Sequence, residues 1–366
     1  MTLAQVLMLS VFRIRRERMR RVGILTGGGD CPGLNAVIGA VVRKMDKHNV
    51  EVFGILDGWK GMIEGLTRRL TVEDTSEILP IGGTIIGTTR TNPYKHPETN
   101  IPRVRETMKK FALDALIAVG GEDTLGVAHR LYKEEKFPVI GVPKTIDNDL
   151  SGTDYTFGFD TAVNVAMEAI DRIRTTAESH HRVIVVEVMG RHAGWIATHA
   201  GLAGGADVIL IPEKPFDIDE VAQILKRNRQ RSKVHDYNIV VVAEGARFKN
   251  GTVITQPVER DEFGHVRLGG IGHRIAKMIE ERTDYETRVV VLGHLQRGGT
   301  PTAFDRILGV RFGIKAAELT LKRDFGRMVA LRGTKIVAVP LEEAVARIKT
   351  VDEDLYRMAE DYFSPF

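Results

Sequence analysis

The chain has 366 residues, 43% hydrophobic and 27% charged, which is long enough for two domains and excludes disordered and fibrous classes. Its formal charge of +4 and isoelectric point near 9.0 do not make a nucleic-acid surface, because Arg13, Arg15, Arg16 and Arg18 against Glu17 supply +3, leaving +1 for the rest. Cys31 is the sole cysteine, which rules out an intramolecular disulfide and a cysteine metal cluster and fits a reducing cytoplasm.

Residues 1–18 read as an extension outside the fold, either a genuine tail or the product of a misassigned start codon. Their apolar part precedes the arginines, the reverse of a signal peptide. Strands are expected at 22–26, 50–56, 115–119, 139–142, 183–188, 208–211, 239–243 and 289–292, with helical stretches between them. That alternation predicts an α/β protein of mainly parallel sheets covered by helices. A long helix is expected over 160–179, where Ala162, Val163, Ala166, Ala169, Ile170 and Ile173 recur at helical spacing. The most apolar stretch, 193–211, contains His199, Asp207 and four glycines, so no membrane partner is expected. Turn signals at Lys249-Asn250-Gly251 and Glu262-Phe263-Gly264 predict a β-hairpin insertion over 248–268.

The chemistry is carried by two segments that follow successive apolar runs, Gly120-Gly121-Glu122-Asp123-Thr124 and Pro143-Lys144-Thr145-Ile146-Asp147-Asn148-Asp149. Ligands of open α/β sheets bind beyond the carboxyl ends of such strands. Carboxylates there can hold Mg²⁺ and take a hydroxyl proton, and a lysine among them can neutralise a transferring phosphoryl group. Gly27-Gly28-Gly29-Asp30 follows the first strand and opens a helix from about Leu34, a loop that brings backbone amides to phosphate or is a plain tight turn. It is neither a Walker A loop nor a dinucleotide fingerprint. Arg90 lies in a second Gly/Thr-rich loop as a phosphate clamp or a solvated arginine. Glu122 and Asp123 also suit the start of the helix beginning near Thr124.

From about Arg21 to about Val339 the chain resembles the phosphofructokinase family. The resemblance rests on the segments above together with Gly82-Gly83-Thr84, Gly87-Thr88-Thr89-Arg90, Val188-Met189-Gly190-Arg191 and Val291-Leu292-Gly293-His294-Leu295-Gln296-Arg297-Gly298-Gly299. It implies two doubly wound domains crossed twice by the chain. Residues 19–157 plus 296–340 would hold the phosphoryl donor, and 158–295 plus 341–366 the sugar phosphate. It also implies that Asp147 is the base for the sugar C1 hydroxyl, that Glu122 is the Mg²⁺ ligand, although the family more often has aspartate there, and that Gly28, Arg90 and Lys144 bind the donor. Thr145, Asp147 and Asp149, with Met189, Gly190, Arg191 and Glu244, would line the sugar, and Arg182, Arg288, His294 and Arg297 would hold its phosphate. Arg182 and Arg288 correspond to residues that reach a neighbouring subunit's site, which implies self-association as a dimer or tetramer.

ATP-using members usually have glycine where this chain has Asp123 and Lys144. A carboxylate at the place of a nucleotide's α-phosphate fills volume and repels, while a lysine offers an ammonium to a small donor. The pair is similar to the diphosphate-dependent phosphofructokinases, and Asp123 discriminates more than Lys144, since lysine also occurs in ATP-using relatives. The expected reaction is reversible phosphoryl transfer from diphosphate to fructose 6-phosphate with Mg²⁺, giving fructose 1,6-bisphosphate and phosphate; the alternative is an ATP-dependent 6-phosphofructokinase. An NAD or lipid kinase is disfavoured by the intact 144–149 and 189–191 motifs, and a non-catalytic sugar-phosphate sensor by the retention of Asp147 with its metal ligand. Gly39 stands where ATP-dependent bacterial relatives carry an effector-contacting arginine, which sets such control in doubt.

Overall fold

The computed structural model describes residues 19–231, 236–249, 263 and 269–363. The tail expected at 1–18 lies outside them, as does almost all of the hairpin expected over 248–268. Two sheets organise the rest. The larger runs in the order β11-β10-β5-β4-β1-β2-β3, made of Lys335–Pro340, Arg327–Arg332, Val139–Pro143, Ala115–Gly120, Arg21–Thr26, Glu51–Ile55 and Thr67–Leu70. Its five inner strands are parallel, and β3 and β11 close the two edges in antiparallel register. The smaller sheet is parallel throughout, β7-β8-β6-β9, from Val208–Leu210, Asn238–Ala243, Val183–Val188 and Thr287–Val291.

Alternation along the strands decides the layers. Leu116 and Ala118 of β4 face one apolar core while Ile117 and Val119 face the other, because successive side chains of a strand point to opposite faces. The second of these cores continues without a break onto Ile184, Val186 and Val188 of β6, so the two sheets share one apolar layer; Val183 and Val185 face a third core. Helices α1 (Leu34–Asp46), α5 (Phe159–Ser179) and α9 (Ala303–Lys322) contribute to the shared layer. Close approach of α1 and α9 requires glycine at 313, where a Cβ would lie 2.6 Å from the Val37 carbonyl oxygen.

The N-termini of α5 and α9 clasp one another where the chain passes between the sheets. Asp305 Oδ2 accepts from the Thr161 amide at 2.8 Å and from its hydroxyl at 2.6 Å, and the Thr302 hydroxyl donates to Asp160 at 2.6 Å. Asp305 is fully buried. Burial pushes its carboxyl up to about 6, against the hydrogen bonds from Thr161 and the Gly158 backbone that favour its charge.

All eight expected strands form, but the sequence reading omitted β3, β10 and β11. β3 is a four-residue edge with Arg68 and Arg69 exposed, which carries no apolar run to detect. Helix α4 (Glu122–Glu135) begins two residues earlier than expected, so Glu122 and Asp123 occupy its first turn. Helices α2 (Trp59–Glu64), α3 (Pro97–Lys110), α6 (Trp195–Ala203), α7 (Ile218–Arg231), α8 (Ile271–Thr283) and α10 (Glu353–Phe363) complete the layers. Among the described residues no helix is long and apolar enough to cross a membrane.

Candidate active site

The carboxyl ends of β1, β4 and β5 are neighbours in the sheet, and their loops meet on one side of the cleft. Gly27 donates to the Val119 carbonyl and Gly28 to the Thr89 carbonyl, both at 3.0 Å, while the Thr88 hydroxyl donates to the Gly28 carbonyl at 2.7 Å. The glycine loop and the loop ending in Arg90 are thereby tied together, and Arg90 itself is exposed. The Gly28 amide is engaged within the protein, so what the loop provides at this position is room.

Lys144, at the end of β5, lies under that loop. Its backbone amide donates to Gly120, which fixes it beside the start of α4. Its ammonium is buried and donates to the Gly29 carbonyl oxygen. Burial lowers its pKa, opposed by the charges of Asp147 and Asp30. The first turn of α4 sets Glu122, exposed, and Asp123, half-buried, on the adjoining strand end.

The next loop carries the acids. Asp147 is 9% exposed, its amide is held by the Thr145 hydroxyl at 3.0 Å, and its Oδ1 is buried with no hydrogen-bond partner. An acceptor left open in this way is available to a substrate hydroxyl. Asn148 follows at φ 51°, and its side-chain oxygen accepts from the Thr156 amide at 3.1 Å. Burial first, and the Asp147 charge second, raise the Asp149 carboxyl well above the ordinary range.

The smaller sheet supplies the opposite wall. Met189, Gly190 and Arg191 leave the carboxyl end of β6, and the Arg191 amide donates to Glu244 at 3.1 Å. Glu244 is pushed up to about 7 by burial and then by the charge of Asp147 in the 147–149 loop. Arg297 ends a 3₁₀ turn over Gly293–Arg297, and its guanidinium donates to the Asp30 carbonyl at 3.3 Å. It packs so closely on the glycine loop that a Cβ at Gly29 would lie 2.3 Å from its Nη1. Arg297 therefore touches the glycine loop, while His294 is exposed.

A profile of the family described as phosphofructokinase matches residues 21–320. The chain belongs to the phosphofructokinase family. This phosphofructokinase is 58% identical over 344 residues to a pyrophosphate–fructose 6-phosphate 1-phosphotransferase of Amycolatopsis methanolica, covering 94% of this chain and 99% of that protein. It is 50% identical over 345 residues to an ATP-dependent 6-phosphofructokinase of Mycobacterium leprae, with the same coverage. Among solved structures, the T-state phosphofructokinase of Pichia pastoris is similar with a TM-score of 0.78 and 34% identity; the match covers 95% of this chain and 39% of that longer one.

Two of the residues singled out in the sequence of this phosphofructokinase stand apart from the cleft. Arg182 precedes β6 and Arg288 lies near the start of β9, both bonded to Glu286. Strands rise ~3.3 Å per residue, so the six residues of β6 put Arg182 ~20 Å from the end that carries Met189. Conversely, the sequence reading passed over Gln296, fully buried, whose side-chain oxygen faces the Met189 amide at 3.4 Å; it also passed over Lys349, which reaches the back of the acidic loop. Gln296 lay within a quoted motif and was legible; Lys349 lies beyond every motif.

Hard oxygen donors at the cleft suit Mg²⁺. Among the described residues no three histidine, cysteine or acidic side chains converge tightly enough to form a cage. Burial first, and the charge of Asp147 second, raise Asp149 and Glu244, and a dication would offset the second of these.

Proposed function

We propose that this chain catalyses reversible phosphoryl transfer from diphosphate to the C1 hydroxyl of fructose 6-phosphate, yielding fructose 1,6-bisphosphate and phosphate. The observation that carries the reading is the pairing of Asp123, in the first turn of α4, with Lys144, buried on the neighbouring strand end beneath the glycine loop. A fixed ammonium there serves a small donor of high charge density, and the carboxylate opposes a nucleotide's further phosphate. The relatives named as diphosphate enzymes at 56–58% identity support this choice over the ATP-dependent ones at 50–51%.

In the forward direction the C1 oxygen attacks the transferring phosphorus. Its proton passes to Asp147, and the bond to the leaving phosphate breaks. Asp147 Oδ1, buried and open, is the acceptor. Lys144 and Arg297, on either side of the glycine loop, neutralise charge that builds on the phosphoryl oxygens. Gly28 and Arg90 border the donor. Thr145, Asp149, Met189, Gly190, Arg191 and Glu244 line the acceptor with His294 at its rim. Mg²⁺ bound at Glu122 would supply charge neutralisation at the donor.

Arg182 and Arg288 act in a neighbouring subunit's site, which makes the enzyme a dimer or tetramer. Their distance from the end of β6 supports this, as do the exposed apolar side chains of Val291, Leu295, Phe304 and Ile307 around β9 and the start of α9. Cytoplasmic residence suits a chain whose one thiol is buried and free.

Initial rates with diphosphate and with ATP test the reading. The expected result is a much larger kcat/KM for diphosphate; a value for ATP equal to or above it assigns the chain to the ATP-dependent reaction instead.

A further inference from the structure

Lys349 lies between the 3₁₀ turn at Leu341–Val345 and helix α10, outside the matched family region. Its ammonium donates to Asn148 Oδ1 at 2.9 Å and to the carbonyl oxygens of Thr153 and Asp154 at 2.9 and 2.8 Å. Its backbone amide donates to the Asp149 carbonyl at 2.7 Å, and its carbonyl accepts from the Trp195 indole at 2.8 Å. Next to it Ile348 pairs with Leu150 as an antiparallel bridge. One residue thus grips the loop on both sides of its exit and anchors it to α6.

The grip falls where the loop needs it. Asn148 sits at φ 51°, a left-handed conformation that asparagine tolerates, and its side-chain oxygen is held there by the Thr156 amide and the Lys349 ammonium. It stands directly between Asp147 and Asp149. The Lys349 ammonium is satisfied by these three acceptors and has no carboxylate among them, so its bonds serve geometry more than ion pairing.

We propose that Lys349 is a positioning residue for phosphoryl transfer, one that holds Asn148 and Asp149 so that the Asp147 carboxylate is aimed at the acceptor hydroxyl. It touches no substrate group and acts only through the loop. The assignment rests on the phosphotransfer reading and deepens it. Burial brings its ammonium down to about 8, with Asp149 and Asp154 facing it. Its hold therefore weakens as pH rises through that value.

The test uses the full chain carrying Lys349→Met, which keeps the apolar stem and removes the donors. Displacing a catalytic group by about 1 Å costs on the order of 100-fold in rate, so kcat should fall roughly 10- to 100-fold, with KM for both substrates within about threefold of wild type. Lys349→Arg, with donors for the same carbonyls, should recover most of the loss. A folded Lys349→Met protein with kcat within twofold of wild type overturns the proposal, and so does a change confined to KM. Should that variant not fold, Lys349→Gln, which still donates to the Thr153 or Asp154 carbonyl, takes its place under the same criteria. Unfolding of both makes the lysine a fold staple and refutes the positioning role. Wild-type activity with diphosphate judges the phosphotransfer reading without any variant, so the two failures are separable.

Discussion

Asp305 gives the sharpest test of how the two halves are held. Its carboxylate takes two hydrogen bonds from Thr161, each worth ~1.5–3 kcal/mol for a charged acceptor. Those bonds hold the carboxyl down against burial, and what remains is a lift from 3.8 to about 6, which leaves the ionised form ~3 kcal/mol less stabilising than the protonated one. The sign of the pH dependence follows. The folded-state value lies above the unfolded one, so protonation stabilises the fold fully below about 4, and that gain is lost as pH rises through about 6. Asp305→Asn keeps an acceptor and removes the titration. By linkage, wild type should gain ~1.4 kcal/mol relative to Asp305→Asn between pH 7.5 and pH 5. Asp305→Ala, which strands the Thr161 amide and hydroxyl, should cost ~2 kcal/mol or more at both. Urea unfolding at the two pH values measures all three. Parallel pH curves for wild type and Asp305→Asn, or equal losses in the Asn and Ala variants, would refute the reasoning.

Asp147→Ser should lower kcat by roughly 10²- to 10⁴-fold, the usual range for a general base, with KM for fructose 6-phosphate little changed; near-normal turnover removes Asp147 from that role. Asp123→Gly should raise kcat/KM with ATP by removing volume and negative charge from the donor side, and an unaltered diphosphate-to-ATP ratio in initial rates would count against it. Lys144→Gly should instead cut diphosphate turnover itself by on the order of 100-fold or more, because its ammonium acts on charge that develops in the transition state; a loss confined to KM contradicts this. Glu244→Gln should remove the loss of stability that wild type shows as pH rises from about 5 to about 7, since burial lifts that carboxyl from 4.5 to about 7 and the unfolded chain releases its proton first; pH-resolved thermal unfolding of the two proteins checks it.

The parts of the site legible in the sequence were those that local chemistry encodes. A glycine run after an apolar strand, or acids and a lysine after a buried one, announce themselves within ten residues, as at Gly27–Asp30 and 143–149. The β10–β11 hairpin was missed although Gly333 turns it, because its strand β11 is only partly buried and offers a diluted apolar signal. Lys349 had no signal to give. It meets Asn148 across 201 positions of chain, and nothing in a lysine at the start of a polar segment distinguishes it from a solvated one. The placement of Arg297 against the glycine loop is likewise a product of tertiary packing; the family resemblance assigns it to the sugar's phosphate, and its bond to the Asp30 carbonyl had no local signal.

The way the sheet margins are finished bears on how this protein behaves in concentrated solution. The larger sheet ends in strands that discourage further pairing, β3 with Arg68 and Arg69 and β11 closing on Pro340. In the smaller one, β7 is shielded by α10, whose Tyr356 hydroxyl donates to the Ile209 carbonyl at 2.8 Å, whereas β9 presents Val291 to solvent at 47% exposure. Of the strand margins described, β9 is thus the one left open to pairing, and contact with a second subunit would bury it. Removing the last helix adds a second sticky margin at β7, so C-terminal truncation should trade solubility for precipitation before it disturbs the chemistry at the cleft.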